Sequence, residues 1–362
     1  MNKISICTVC MNRLKHLSKT LPVNIAENIH HPNVEFVILD YNSRDNMENW
    51  AKETIGKFIE MGIVKYYKTC EPKYFNMSHS KNMTLKLATG DIVCMIDADN
   101  YAGPGYADWI DAKFAANGEN SVITTLRKSQ IPYRDQGGKV GFARNLVHSV
   151  SGFDESLTGY GIDDVDLINR LEKAGGKRVF IEDEKYLRYI GHSNMERLIN
   201  YHLFDNLDII YVYFVSSERF KVLYLLKDHT FIEAKFNFNE ALKHDWLNTY
   251  WGFSMQEGSK REGAFTRENG VLQLKTPDHP MEIVNESAIG MLGTADAGRI
   301  EGWRQISPEN ELYHTLIIGY GECINRVRYF QNDRDDVTIN ARGWGRGTVY
   351  LNFDMSTPIQ VS

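Results

Sequence analysis

The stretch that most limits what this chain can become is Gly90-Asp91-Ile92-Val93-Cys94-Met95-Ile96-Asp97-Ala98-Asp99-Asn100. Ile92 to Ile96 is apolar throughout, as in a central strand covered on both faces. Asp97 and Asp99 follow at once, two residues apart, so both leave the strand end in the same direction. At the carboxyl edge of an α/β sheet such a pair sits where these folds bind ligands, and two adjacent acids favour a cation between them. The pattern points to a divalent metal held against a phosphorylated ligand. The triplet alone leaves a solvated acidic turn as an equal alternative.

The flanking sequence alternates strands and helices. Ile4–Cys10 reads as the first, central strand, followed by a helix with Leu14, Leu17, Leu21 and Ile25 on one face and Pro22 marking a kink or an end. Val34–Leu39 is a second strand, ending in Asp40-Tyr41-Asn42-Ser43, which reads as a turn and cap for a helix over 47–58. Val64–Tyr67 is a third strand, and a helix opens near His79 with Lys81 beside amide groups that suit a diphosphate. Tyr106–Phe114 is expected to be helical, and Ser121–Thr125 and Arg178–Glu182 to be strands. A helix over Val165–Ala174, closed by Gly175-Gly176, places Asp163 and Asp164 at its amino end, where they read either as helix caps or as carboxylates kept ionised by the helix dipole, as a general base requires. Arg13, just past the first strand, reads either as a contact to a nucleotide or as an ordinary surface arginine.

Ser80-Lys81-Asn82, then Ala88-Thr89-Gly90, a strand and Asp97-Ala98-Asp99 together resemble the family 2 nucleotide-sugar glycosyltransferases with the GT-A fold. Gly152-Phe153-Asp154-Glu155 reproduces a turn of that family. Gly159-Tyr160-Gly161-Ile162-Asp163-Asp164-Val165-Asp166-Leu167 is similar to the Gly-Trp-Gly-x-Glu-Asp-x-Asp/Glu-Leu motif of galactosyl- and N-acetylgalactosaminyl-transferases, with Tyr for Trp and Asp for Glu. The resemblance runs over about residues 4–195. It implies a mixed α/β sheet flanked by helices, with Asp40, Lys81, Asn82, Asp97 and Arg13 at the nucleotide donor. It further implies Asp99, Asp97 and His192 on Mn2+ or Mg2+, Asp164 as the base in an inverting transfer and Asp163 orienting the acceptor. The implied partners are a nucleotide-diphosphate sugar, with a UDP-hexose or UDP-N-acetylhexosamine favoured, and a glycan or glycolipid acceptor of the kind used in polysaccharide biosynthesis.

Beyond this region the pattern changes. The sequence predicts a catalytic domain over 1–200, a connecting segment over 201–230 packed on it, and a smaller β-rich, sandwich-like domain over 231–362. Phe231–Phe238, Val271–Lys275, Leu316–Tyr320, Val337–Asn340 and Thr348–Phe353 are its expected strands. Trp246, Trp251, Trp303 and Trp344 read as sugar-stacking platforms or as core or interface residues.

A formal charge of −6 without a long Lys/Arg run argues against nucleic acid as a partner. No run approaches the roughly 18 apolar residues of a membrane span, and Met1-Asn2-Lys3 leads straight into a strand, so the chain is expected to be cytoplasmic, with room for peripheral membrane contact and homo-oligomers. Cys7 and Cys10 have redox-motif spacing but would face opposite sides of a strand, which favours core cysteines. Two other functions fit parts of the sequence. A sugar-nucleotide nucleotidyltransferase shares the plan, but usually has a glycine-rich loop where this chain has Cys10-Met11-Asn12-Arg13. A noncatalytic carbohydrate-binding protein would place the function in the carboxy-terminal sheet.

Overall fold

A computed structural model of the chain describes residues 1–125, 137–238, 253–292 and 302–362. They form two compact units, one of residues 1–158, 162–192 and 332–362, the other of 159–161 and 193–331.

The first unit opens with β1 (Ile4–Cys10), α1 (Leu14–Asn28), β2 (Val34–Tyr41), α2 (Met47–Glu60), β3 (Val64–Thr69), α3 (Met77–Leu87) and β4 (Ile92–Met95). It continues with α4 (Tyr106–Asn117), β5 (Ser121–Thr124), β6 (Val140–Ala143), α5 (Arg144–Ser149), α6 (Asp163–Lys173) and β7 (Lys177–Phe180). The strands lie in the order β3-β2-β1-β4-β6-β5-β7. β3, β2, β1 and β4 run parallel, while β6 is antiparallel to both β4 and β5. β1 is buried at every position, as its apolar and cysteine-rich sequence requires of the strand between β2 and β4. The expected mixed α/β plan is therefore present. Pro22 lies inside α1 and does not end it. Cys7 and Cys10 are free and buried, and burial pushes both thiols up, which fits core residues.

The second unit holds α7 (Asn194–Leu198), α8 (His202–Asn206), β8 (Leu207–Phe214), β9 (Arg219–Leu226) and β10 (Thr230–Phe238). β11 (Phe253–Ser254), β12 (Lys260–Glu268), β13 (Val271–Thr276), β14 (His279–Asn285), β15 (Gly290–Met291), β16 (Trp303–Gln305) and α9 (Glu311–Arg334) follow, with the unit boundary just before Asn332. Its sheet runs β14-β13-β12-β10-β9-β8-β16-β15, with β11 on β10, and is antiparallel except between β15 and β16. Residues 201–230, expected as a connecting segment, thus hold two strands of this sheet. Leu316–Tyr320, expected as a strand, lies inside α9, where Tyr313, Leu316, Ile317, Tyr320 and Cys323 recur at helical spacing and join the unit's core.

After α9 the chain returns to the first unit. β17 (Gly347–Leu351) pairs antiparallel with β3, and β18 (Pro358–Val361) pairs with β17. Of Thr348–Phe353, the part up to Leu351 therefore adds to the first sheet and not to the expected carboxy-terminal sandwich, and Val337–Asn340 is irregular with a turn at its end. Trp344 is buried against His148, with Lys86 Nζ 4.1 Å from its ring centroid, a packing role. Trp303 packs edge-on to Tyr213, whereas Trp246 and Trp251 lie outside the described residues. Among the described residues, no helix is long and apolar enough to cross a membrane.

Candidate active site

The loops after β1 and β2 are laced together at the carboxyl edge of the sheet. Asp45 Oδ2 accepts from the Leu14 amide at the start of α1 (2.7 Å), the Asn12 amide donates to Ser43 Oγ, and Asn12 Oδ1 accepts from the Arg44 amide. Asp40 belongs to this scaffold. It is 1 % exposed, with its oxygens taking the Ser43 amide (2.7 Å) and the Tyr66 hydroxyl (2.6 Å), and burial pushes its pKa up. Such a carboxylate holds its turn.

β4 delivers Asp97 and Asp99 into a turn that the Asn100 amide closes on the Asp97 carbonyl. Asp99 Oδ2 lies 2.7 Å from His192 Nε2, so residues far apart in sequence meet as expected. Burial alone would raise Asp99, but the His192 hydrogen bond and charge outweigh it and hold the carboxyl below its ordinary value. Asp97 is shifted the other way, chiefly by burial and then by repulsion from Asp99 and Asp163, with Lys81 and His192 opposing the rise. Its carboxylate also packs on Gly138, where a Cβ would come 2.1 Å from Oδ2, so only glycine fits there.

Among the described residues no group of three or more His, Cys, Asp or Glu side chains is arranged to hold a metal ion. Asp97 packs on Gly138 within electrostatic reach of Lys81 and of the Asp99–His192 pair. That pair itself fits a divalent cation. It combines a carboxylate held ionised with an imidazole whose Nδ1 is buried without a hydrogen-bond partner, a donor set that suits Mn2+ better than Mg2+.

Lys81 lies inside the site. Only 1 % exposed, its ammonium bonds Asp163 Oδ2 (3.1 Å) and Asp164 Oδ1 (2.7 Å) and packs over the Phe153 ring. Burial opposes the charge, but Asp163, Asp164 and Asp97 outweigh it and hold the lysine protonated. Asp163 and Asp164 open α6, whose preceding residue Ile162 has φ +72° and makes no side-chain cap. Burial and then repulsion from Asp163 push Asp164 up to about 8 despite Lys81.

Asn82 is engaged by the loop at 153–155. Its amide group donates to the Phe153 carbonyl and to Glu155 Oε1 (2.8 Å each), while its carbonyl accepts from the Phe153 amide (2.7 Å). Gly152 opens that turn at φ +68°, with no room for a Cβ between Asn82 and Trp344. Asn82→Ala would strand these buried groups and is expected to lower stability by about 1–3 kcal/mol while leaving nucleotide-sugar affinity unchanged, read by urea unfolding and calorimetry. Arg13 remains near the site as a half-buried cation whose charge helps lower Asp99.

Lys139 was not foreseen. Buried at the start of β6, it donates to the Tyr101 carbonyl (2.6 Å) and to that of Tyr186, tying the segment after Asp99 to a distant turn. Burial brings its pKa down to about 7 against the pull of Asp97 and Asp99. The only local signal was a lone lysine leading an apolar strand, in Gly137-Gly138-Lys139-Val140.

Residues 5–145 match the model described as glycosyl transferase family 2, and residues 121–196 that described as the N-terminal domain of galactosyltransferase. No curated protein matches the chain. Among solved structures, the mannosyltransferase PcManGT from Pyrobaculum calidifontis in complex with GDP-Man and Mn2+ is 19 % identical, with a TM-score of 0.42, over 50 % of this chain and 55 % of that one. TarS 1-349 of S. aureus is 17 % identical, with a TM-score of 0.41, over 51 % and 59 %. GalNAc-T7 with UDP, GalNAc and Mn2+ is 14 % identical, with a TM-score of 0.42, over 50 % and 42 %. This chain thus spans less than two thirds of the length of each of these structures. Over residues 5–145, less than half of its 362 residues, the chain is similar to family 2 glycosyltransferases.

Proposed function

We propose that the chain transfers a sugar from a nucleotide-diphosphate donor, a UDP-hexose or UDP-N-acetylhexosamine, to a hydroxyl of a glycan or glycolipid, with inversion at the anomeric carbon. The observation that carries this reading is the buried cluster of Lys81 with Asp163 and Asp164, in electrostatic reach of Asp97, which in turn faces Asp99 and His192. Asp164 accepts the proton of the acceptor hydroxyl as its oxygen bonds to the anomeric carbon. The bond from that carbon to the diphosphate breaks on the opposite face, and its electron pair leaves with the nucleotide. Asp163 orients the acceptor by hydrogen bonding. Lys81 holds both acids in one geometry and limits their mutual repulsion. Asp99 and His192 would hold a divalent cation, preferably Mn2+, which supplies positive charge to offset that developing on the departing diphosphate.

Thermal unfolding with a panel of nucleotide sugars, with Mn2+ or with chelator, tests this reading. The expected result is a Mn2+-dependent rise in Tm with one UDP-sugar; ligand at a hundredfold its Kd contributes about 2.7 kcal/mol. That sugar should then be turned over with a glycan acceptor. No stabilisation by any nucleotide sugar would remove the proposal.

A further inference from the structure

Within the first unit, the turn that carries Asp99 and the segment that ends in His192 run side by side. The Tyr101 amide donates to the Arg188 carbonyl (3.0 Å) and the Ile190 amide to the Asp99 carbonyl (2.8 Å), with Asn100 and Tyr189 paired antiparallel between them. This short ladder brings His192 Nε2 to 2.7 Å from Asp99 Oδ2. The Asp99 side is fixed by α1, where Thr20 Oγ1 donates to the Ala98 carbonyl (2.6 Å) and Asn24 bonds both the Asn100 carbonyl and the Ala102 amide. The His192 side is packed at its base, where the Tyr186 ring meets Tyr106 and Trp109, and Arg188 lies over the Tyr101 ring.

Lys139 joins the two sides. Its neighbour Gly138 packs on Asp97, and Lys139 itself, 0 % exposed, donates to the Tyr101 carbonyl (2.6 Å) on one side and to the Tyr186 carbonyl on the other. A methionine would fill much the same space without taking an amine out of water, so what justifies the buried amine is what it bonds. Even a neutral lysine keeps two N–H donors, so these bonds do not depend on its charge. We infer that Lys139 is a positioning residue, which braces the Asp99 turn against the segment ending in His192 and keeps the two side chains facing each other as a preorganised pair for a divalent cation. The brace stands on the contacts alone; its link to a cation rests on the proposed function.

Single-amide hydrogen exchange and Mn2+ binding, the latter read from the paramagnetic resonance signal of the free ion, test this in wild type, Lys139→Met and Lys139→Gln. In wild type the Tyr101 and Ile190 amides are expected to be protected. Exchange there at the rate of unstructured chain would overturn the brace, even where Lys139→Met does not fold. In Lys139→Met, which loses both donors, these amides are expected to exchange about tenfold faster, the order of one or two lost hydrogen bonds. Amides of β1 and β2 should keep wild-type rates, which shows that the fold is intact. Mn2+ affinity is expected to fall about 10- to 100-fold, the range for a lost partner behind metal ligands. Lys139→Gln, with two N–H donors on a shorter arm, should recover part of both. The direction of the change separates positioning from charge: Lys139 is in electrostatic reach of Asp97 and Asp99, so a purely electrostatic role predicts tighter Mn2+ binding once the amine is gone. Tighter or unchanged Mn2+ binding in folded Lys139→Met would overturn the positioning role, and unchanged exchange would overturn the brace. A wild type that binds no Mn2+ would count against the cation in the proposed function and end the metal side of this inference with it, while exchange still decides the brace.

Discussion

Asp164→Asn is expected to lower kcat by about 10²- to 10⁴-fold, the range contributed by a positioned general base, with donor affinity unchanged. The amide is nearly isosteric and still reaches Lys81 Nζ, which bonds Asp164 Oδ1 at 2.7 Å, so the fold should survive. The sign of the pH dependence follows from the raised carboxyl. An acid pushed up to about 8 is largely protonated at neutral pH and cannot accept a proton, so wild-type kcat should climb with pH and level off above that value. The residual activity of Asp164→Asn should lack this rise. Steady-state rates from pH 6 to 9 at saturating donor check both, and turnover near the wild-type level would take Asp164 out of the base role.

Lys81→Met is expected to damage both stability and chemistry. The substitution removes the ammonium from among Asp163, Asp164 and Asp97 and leaves buried carboxylates facing one another. Breaking such a pair from one side costs about 3–5 kcal/mol. Without the lysine the carboxyl of Asp164 rises above its wild-type value of about 8, so wild type and variant differ in protons bound only from about pH 8 up to the higher value. The part of the loss that comes from Asp164 should therefore grow as pH passes 8. Urea midpoints at pH 7 and pH 9 measure it, and equal losses at both would show that Lys81 does not balance this acid.

The sequence carries local order well and distant partnership poorly. β4 is legible because it is an uninterrupted apolar run, β1 because it is rich in β-branched residues and cysteine, and α6 because its acids and its Gly175-Gly176 stop mark both ends. Leu316-Ile317-Ile318-Gly319-Tyr320 misleads because β-branched residues and glycine mimic a strand; the three- and four-residue spacing from Tyr313 to Cys323 is the signal that reveals α9. Thr348–Phe353 shows strand alternation, but nothing local says that it joins β3.

The site divides in the same way. The meeting of Asp99 with His192 follows from the order of the family motifs, and the structure places the two in contact. The partner of Lys81 is not legible, because a lysine on an amphipathic helix reads alike whether it meets a phosphate or two aspartates brought from α6. Asn82 shows the same limit: its side chain is consumed by Phe153 and Glu155, which lie in a loop beyond β6.

Calorimetric titration of the preferred UDP-sugar into wild type, Asp99→Asn and Asp164→Asn, each with Mn2+ and with chelator, tests the central claim most directly. The expected result is saturable binding by wild type and Asp164→Asn only in the presence of Mn2+, with Asp99→Asn weakened in Mn2+ to the level seen with chelator. Equal affinity in all three proteins with and without Mn2+ would contradict donor binding through a cation at Asp99 and His192.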